Sequence, residues 1–292
     1  MKPVISPNEL AAAIGVSEST IKRWVDNGDI VATRTSGGHR RIAIAEVLRF
    51  TRQTQTRILR PELLGLPAEA ALPADRRASP GAAEQFHRHL TDGDALKARG
   101  LLVSLYLTGQ SPAWICDEPV RMAMQRIGRQ WKESGEAGIF LEHRASDICL
   151  QAILRLRSLF EPPQEGPAIV GGAGPGDLHL LPSLCAATVL ESAGYRAVNL
   201  GPDTPVESFI SAVEAHGPAL VWVSFSHVAD SDAMSDQVAA LASRLATKNI
   251  KLIIGGDAVG LVRREAPDIR VGQSFTELVQ IANEIVPPPK GE

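Results

Sequence analysis

From Pro167 to Ile285 the chain alternates short, almost wholly apolar runs with longer stretches of helical period, and no other feature constrains its fold as much. Residues 168–173 read as a buried strand, 196–200 as a second, 220–224 as a third, 251–255 as a fourth and 269–271 as a weak fifth. Helices are expected at 180–193, from Asp203-Thr204-Pro205 onward, at 230–247 and at 274–285, with a short one after Gly255. A strand that is apolar on both sides needs cover on both sides, so the pattern implies a parallel sheet with helical crossovers on either face. Ligands of such sheets sit at the carboxyl ends of the strands. Three loops fall at that edge: Gly174-Pro-Gly-Asp-Leu-His-Leu-Leu-Pro182, Ser224-Phe-Ser226-His227 and Gly255-Gly256-Asp257.

Ahead of the sheet, residues 82–160 keep a helical period in four pieces. The first holds Phe86 and Leu90 and stops near Gly93. The second carries a core-facing stripe from Ala95 through Tyr106 to Gly109. The third starts at Ser111-Pro112 and runs to Trp131, with Pro119 inside it as a kink or break. The fourth runs from about Ile139 to Leu159. Short connections between helices favour an antiparallel four-helix bundle. Between Arg60 and Pro80, Pro61, Pro67, Pro73 and Pro80 interrupt regular structure, which predicts a semi-extended linker and rules out a long coiled-coil helix.

The amino-terminal segment has a different character. Ser6, Pro7 and Glu9 form a helix start, and Leu10, Ala13 and Ile14 give that helix an apolar stripe ending at Gly15. Ser17 caps a second helix in which Ile21, Trp24 and Val25 face inward. Its other face carries Ser17, Ser19, Thr20, Lys22 and Arg23, hydroxyls and cations suited to base edges and phosphates. A hairpin follows around Gly37-Gly38, entered by Arg34 and left by His39, Arg40 and Arg41. A basic hairpin beside a helix-turn-helix is a wing, which makes double-stranded DNA the expected partner.

Charge supports that division. Residues 1–60 hold ten Lys/Arg against five Asp/Glu, leaving 20 basic against 28 acidic residues for the remainder of a chain whose net charge is −3. Only the first segment suits a polyanion. No apolar run approaches membrane-spanning length and no leader precedes the first helix, so no membrane partner and a cytoplasmic location are expected. Cys116, Cys149 and Cys185 show neither a disulfide framework nor a zinc pattern.

Three resemblances sharpen the reading. Residues 3–55 resemble the winged-helix domain of the MerR family, whose wing often reads T-x-G-G-H-R-R, as Thr35–Arg41 do. The bundle, sheet and edge loops resemble the cobalamin-binding domains of methionine synthase and of certain mutases and regulators, with D-x-H-x-x-G, then S-x-L, then G-G. Asp177 and His179 match the first element, Ser224 the second, and Gly255-Gly256 the third; Pro182 stands in place of glycine and Ser226 in place of leucine. The resemblance implies that His179 gives an imidazole nitrogen to cobalt, that Asp177 orients it, and that the nucleotide tail passes Ser224 and Gly255-Gly256. Trp131, followed after ten residues by Glu142-His143, is similar to the W-x9-E-H of light-responsive repressors of carotenoid genes, with one residue more. There the tryptophan covers the upper face of adenosylcobalamin and the histidine replaces it after photolysis. A bundle-core role for Trp131 and His143 is the alternative.

The expected architecture is multidomain, α+β followed by α/β. It comprises a winged helix-turn-helix at 1–59, a Pro-rich linker at 60–80, a four-helix bundle at 81–163 and a flavodoxin-like, five-stranded, doubly wound parallel sheet at 164–288. The expected function is a transcription regulator that binds DNA as a homo-oligomer, senses a cobalamin (adenosylcobalamin or methylcobalamin) and catalyses no reaction. A corrinoid-dependent methyltransfer or mutase module, and a regulator with a degenerate, cofactor-free sensor, stay open.

Overall fold

The computed structural model describes residues 4–68, 81–160, 163–262 and 269–287. The chain divides into two compact units, Met1–Ser111 with Glu118–Glu161, and Pro112–Asp117 with Pro162–Glu292. Among the described residues no helix is long and apolar enough to cross a membrane.

The first unit opens with β1 (Val4–Ile5), α1 (Pro7–Ile14), α2 (Glu18–Asp26), β2 (Thr33–Arg34), β3 (Arg40–Ala43) and α3 (Ile44–Thr54). The caps form where the side chains demand them. Glu9 N–H donates to Ser6 Oγ at 3.2 Å while Ser6 N–H donates to the Glu9 carboxylate at 2.8 Å, a reciprocal box that satisfies two helix-end donors. Ser17 Oγ accepts from Thr20 N–H at 3.2 Å. Ile21 is buried and Trp24 packs on Phe50 with ring centroids 5.0 Å apart. β2 and β3 form the wing, and β1 adds a third strand against β3, with Ile5 opposite the equally buried Ile42. A two-residue strand has no period to read, so β1 is invisible in the sequence.

Residues 60–68 are not the semi-extended linker that their prolines suggest. Leu59 and Arg60 N–H donate to the Ala13 carbonyl at 2.8 and 3.0 Å, Pro61–Leu64 make a 3-10 turn, and Ile58, Leu64 and Leu66 are buried. Apolar side chains between the prolines anchor this stretch to α1. The remainder of the expected linker, 69–80, lies outside the described residues, as do 161–162 and 288 at the edges of the expected bundle and sheet.

Four helices complete the first unit: α4 (Ala82–Asp92), α5 (Ala95–Leu107), α7 (Met122–Ser134) and α8 (Glu136–Arg157), packed against one another as the expected bundle. The guanidinium of Arg52 in α3 lies 3.7 Å over the Tyr106 ring of α5 and donates to the Tyr106 carbonyl, so the winged helix is fastened to the bundle. The third expected helix is split. Its first turn, α6 (Pro112–Ile115), belongs to the second unit, and a π-turn over Cys116–Arg121 contains Pro119 before α7 begins. A proline cannot donate to the carbonyl four residues back and crowds it, and a wider turn accommodates both faults.

The second unit is a five-stranded parallel sheet of β4 (Ala168–Ala173), β5 (Arg196–Asn199), β6 (Leu220–Ser224), β7 (Lys251–Gly255) and β8 (Ile269–Gly272), in the order β5-β4-β6-β7-β8. This is the doubly wound order expected from the alternating pattern. One face packs α10 (Val206–His216) and α11 (Ser231–Ala246) through Phe209, Val213, Val238, Leu241 and Leu245 onto Val221, Val223 and Ile254. α9 (Leu180–Ser192) and α12 (Phe275–Ile285) belong to the opposite face. α6 docks beside α12 through Asp117, a buried carboxylate that accepts from Phe275 N–H at 2.7 Å, Thr276 N–H at 2.9 Å and Thr276 Oγ at 2.7 Å.

Losing these three bonds takes their acceptor from Phe275 N–H, Thr276 N–H and Thr276 Oγ, so Asp117→Ala should destabilise the protein by about 1–3 kcal/mol. Urea unfolding followed by circular dichroism checks this, and an unchanged midpoint would contradict it.

Candidate functional site

The loop after β4 is organised by one carboxylate. Asp177 has no exposed side-chain surface, and its two oxygens collect three N–H groups. Oδ1 accepts from the ring Nδ1–H of His179 at 2.6 Å and from the His179 backbone N–H at 3.1 Å; Oδ2 accepts from Ser226 N–H at 2.5 Å. Burial alone would raise the pKa of this group, but the three donors together hold it below the usual aspartate value. The carboxylate therefore stays charged and ties the loop after β4 to the loop after β6. Its claim on Nδ1–H fixes the imidazole tautomer and leaves the lone pair on Nε2, the form in which a histidine ligates a metal.

His179 is 55% exposed and stands at the amino-terminal cap of α9, between Leu178 and Leu180, two large apolar residues that are also exposed. One nitrogen prepared in this way between apolar side chains would suit a corrin-held cobalt. The residues fit the group.

The two departures from the cobalamin motif are innocuous at the backbone. Ser226 contributes its N–H to Asp177, which leucine would do equally. Pro182 is the third residue of α9, inside the first turn, where an amide N–H has no partner within the helix. Ser224 is buried and its Oγ donates to the Gly172 carbonyl over a long 3.4 Å. Gly255 and Gly256 have a local reason to be glycine: a Cβ on Gly256, at φ 102°, would lie 2.3 Å from the Phe225 carbonyl oxygen, and one on Gly255 would lie 2.9 Å from that of Gly272. Packing of two loops, and not only close approach of a ligand, requires them. Asp203, expected only as the opening of a helix, has a bracing role that went unnoticed in the sequence, and α10 begins after it at Val206. At φ 47° Asp203 accepts from Gly176 N–H at 2.7 Å and donates to the Asp177 carbonyl at 2.8 Å, bracing the same loop. Its signal was Gly201-Pro-Asp203, a turn directly after a strand.

In the bundle, Trp131 is 40% exposed at the end of α7, and Gly138 admits the Trp131 backbone at a distance that a Cβ would reduce to 2.8 Å. Glu142 accepts from Ser146 Oγ at 2.8 Å, and the exposed His143 ring lies 3.6 Å from the Glu142 carboxylate. Ile139 and Phe140 are exposed beside them in sequence. The alternative of Trp131 and His143 as bundle-core residues does not hold, because both face outward.

On the winged helix, Ser17, Ser19, Lys22, Arg23, Arg34 and His39 are exposed, with Thr20 and Arg41 half-buried. Ser17 Oγ lies 2.8 Å from Ser19 Oγ and 2.9 Å from Thr20 Oγ1, a hydroxyl cluster at the start of α2. Lys22 pairs with Glu18 at 2.9 Å, an exposed contact too weak to withhold it from a phosphate. Arg40 differs from its neighbours: it pairs with Asp26 and donates to the Lys22 carbonyl at 3.3 Å, fastening the wing to α2. Glu46 and Arg49, also unnoticed in the sequence, fasten the other side. Glu46 accepts from Val31 N–H at 2.7 Å and from Arg49 Nε at 2.6 Å, and Arg49 donates to the Asp29 carbonyl at 2.9 Å.

Comparison with known proteins agrees with this geometry. Residues 4–55 match a helix-turn-helix domain, and residues 82–157 and 167–277 match two B12 binding domain models. The chain is similar to dimethylamine corrinoid protein 1 of Methanosarcina acetivorans, 26% identical over 153 residues that cover 50% of this chain and 69% of the relative. It is also similar to the dimethylamine corrinoid protein of Methanosarcina barkeri, 23% identical over 150 residues that cover 50% and 69%. In fold it resembles the solved monomethylamine corrinoid protein of Methanosarcina barkeri, at 16% identity and a TM-score of 0.54, over 70% of this chain and 98% of that one. The architecture is a helix-turn-helix head joined to segments of cobalamin-binding type, and these indicate a corrinoid cofactor.

A carboxylate whose folded pKa lies below its unfolded value of about 4 stabilises the fold fully above that value, and the contribution is lost as pH falls through the lower, folded pKa. Asp177→Asn should lower the melting temperature at neutral pH and remove this part of the acid sensitivity. Thermal melts between about pH 3 and pH 7 check it; parallel pH profiles for the two proteins would contradict the assignment.

Proposed function

We propose that the protein is a MerR-type transcription regulator that binds double-stranded DNA through its amino-terminal head, senses a cobalamin through His179, and catalyses no reaction of its own. The observation that carries the reading is the union, in one chain, of a helix-turn-helix head with an exposed cationic and hydroxyl face and a histidine whose Nδ1–H is held by a buried carboxylate. Ser19, Thr20 and Lys22 are assigned to base edges, Arg23, Arg34, His39 and Arg41 to phosphates, and Arg40 to holding the wing in register. One winged helix covers too little DNA for a specific site, so the regulator acts as a homo-oligomer on repeated half-sites.

For the cofactor, His179 would hold the cobalt, Asp177 would orient that histidine, and Ser224 and the Gly255-Gly256 turn would flank the nucleotide arm. A bound adenosylcobalamin supplies a light-cleavable cobalt–carbon bond. By the motif that Trp131, Glu142 and His143 share with the carotenoid-gene repressors, these three residues are assigned to a light-dependent response.

A second reading, a corrinoid carrier in methyl transfer, is favoured by the similarity to methylamine corrinoid proteins. The two separate in one experiment. Purified protein mixed with adenosylcobalamin in the dark should retain a corrinoid spectrum after desalting, His179→Ala should shift that spectrum or lose it, and no methyl donor should be turned over. Corrinoid-dependent turnover would favour the carrier; absence of any retained spectrum would remove both.

The role of Arg40 gives a counter-intuitive expectation for the head. Asp26→Ala removes a negative charge near the DNA face, which by charge alone should tighten binding. If Arg40 works by bracing the wing against Asp26, the substitution should instead weaken DNA binding severalfold, as Arg40→Ala should. Tighter binding by Asp26→Ala in a mobility-shift titration would return Arg40 to the phosphates.

A further inference from the structure

On the sheet face that carries α9 and α12, the last residues before the carboxyl edge are Ala173, Ser224, Gly255 and Gly272, paired in register across β4, β6, β7 and β8. Partners in register point to the same side of a sheet, and residues two apart on a strand share a face. One row further in stand Gly171, Trp222, Ile253 and Arg270. Four adjacent strands thus end in a shelf with no side chain larger than a hydroxymethyl, and a single indole stands behind it. α12 comes down onto the far end of the shelf, where a Cβ on Gly272 would lie 3.7 Å from Leu278 N.

Two polar groups at this place are under-engaged. The Trp222 indole lies across Gly171, where a Cβ would fall 1.9 Å from the ring, and the residue is 2% exposed. Its Nε1–H has no acceptor among the described residues. A buried indole N–H ordinarily finds a partner, because leaving the bond unmade forfeits the hydration it had in water. Among the described residues the hydroxyl of Ser224, two residues along on the same face, makes only the 3.4 Å bond to Gly172.

With the nucleotide arm lying along this edge, as the corrinoid reading above already has it, we infer that Trp222 reads the arm's terminal base. The indole is the back wall that limits how deep the arm enters, and its N–H donates to an acceptor nitrogen of the base. A benzimidazole nitrogen not bound to cobalt offers such an acceptor. The inference rests on the corrinoid reading above and adds to it a residue that selects complete corrinoids over those lacking the nucleotide.

Corrin absorbance in equilibrium titrations of the full-length protein tests it, with cobalamin and with cobinamide, which has the ring but no nucleotide. Trp222→Phe keeps an aromatic ring over Gly171 and removes only the N–H. The variant should lose about tenfold in affinity for cobalamin, the worth of one hydrogen bond, and nothing for cobinamide. An equal loss for both ligands, or none for cobalamin, overturns the inference and leaves the His179 site standing. A folded wild-type protein that binds neither ligand overturns the corrinoid reading itself. In wild-type protein labelled with nitrogen-15, one indole resonance of the four tryptophans should move downfield with cobalamin and stay in place with cobinamide. Four unmoved indole signals overturn the inference without recourse to any variant.

Discussion

The Asp177 carboxylate is the constraint on which the site depends. It is buried and ionised, a combination tolerated only where donors surround it, and it takes those donors from two loops and one imidazole. The same three bonds close the carboxyl edge of the sheet, set the histidine tautomer and keep the ring presented to solvent. One group holds both the loops and the imidazole, so a change at Asp177 cannot alter the setting of His179 without loosening the loops. Asp203 and the Gly256 turn act through this arrangement, the first by bracing the loop after β4 and the second by letting the loop after β7 meet the Phe225 carbonyl.

The head is held by comparable devices. Arg40 and Arg49 each spend a cation on a carboxylate and a backbone carbonyl, one on either side of the wing, and Arg52 joins α3 to the bundle over Tyr106. Together with the packed turn at Pro61–Leu64, these contacts make winged helix and bundle one compact body. Asp117 performs the corresponding task in the other unit, where it anchors α6 to the start of α12. A single helical run, interrupted at Pro119, therefore leaves one unit and enters the other.

Much of this was legible in the sequence where one physical signal dominated. Apolar runs alternating with helical periods specified the doubly wound sheet, because strands covered on both faces have no polar side to display. Ser6, Ser17, Asp230 and Ser274 marked helix starts that the structure reproduces. The Asp177–His179 pair was legible through its resemblance to the D-x-H element of the cobalamin motif, and the two residues, two apart on the chain, do bond. What could not be read depended on distant partners. The Ser226 N–H on Asp177, Asp117 on α12 and Arg40 on Asp26 each join residues far apart in sequence, and no local pattern announces them. Residues 60–66 misled for a different reason: proline density was weighed and the buried Leu64 and Leu66 between Pro61 and Pro67 were not.

The central claim is that occupancy of the histidine site is felt by the head. The direct measurement is the fluorescence anisotropy of a labelled DNA fragment from the region upstream of the protein's own coding sequence, titrated with ligand-free and adenosylcobalamin-loaded protein in the dark and after illumination. The account predicts that loading or illumination changes DNA affinity by fivefold or more, and that the difference vanishes in His179→Ala. Equal affinities in all states of a protein that demonstrably holds the corrinoid would contradict it.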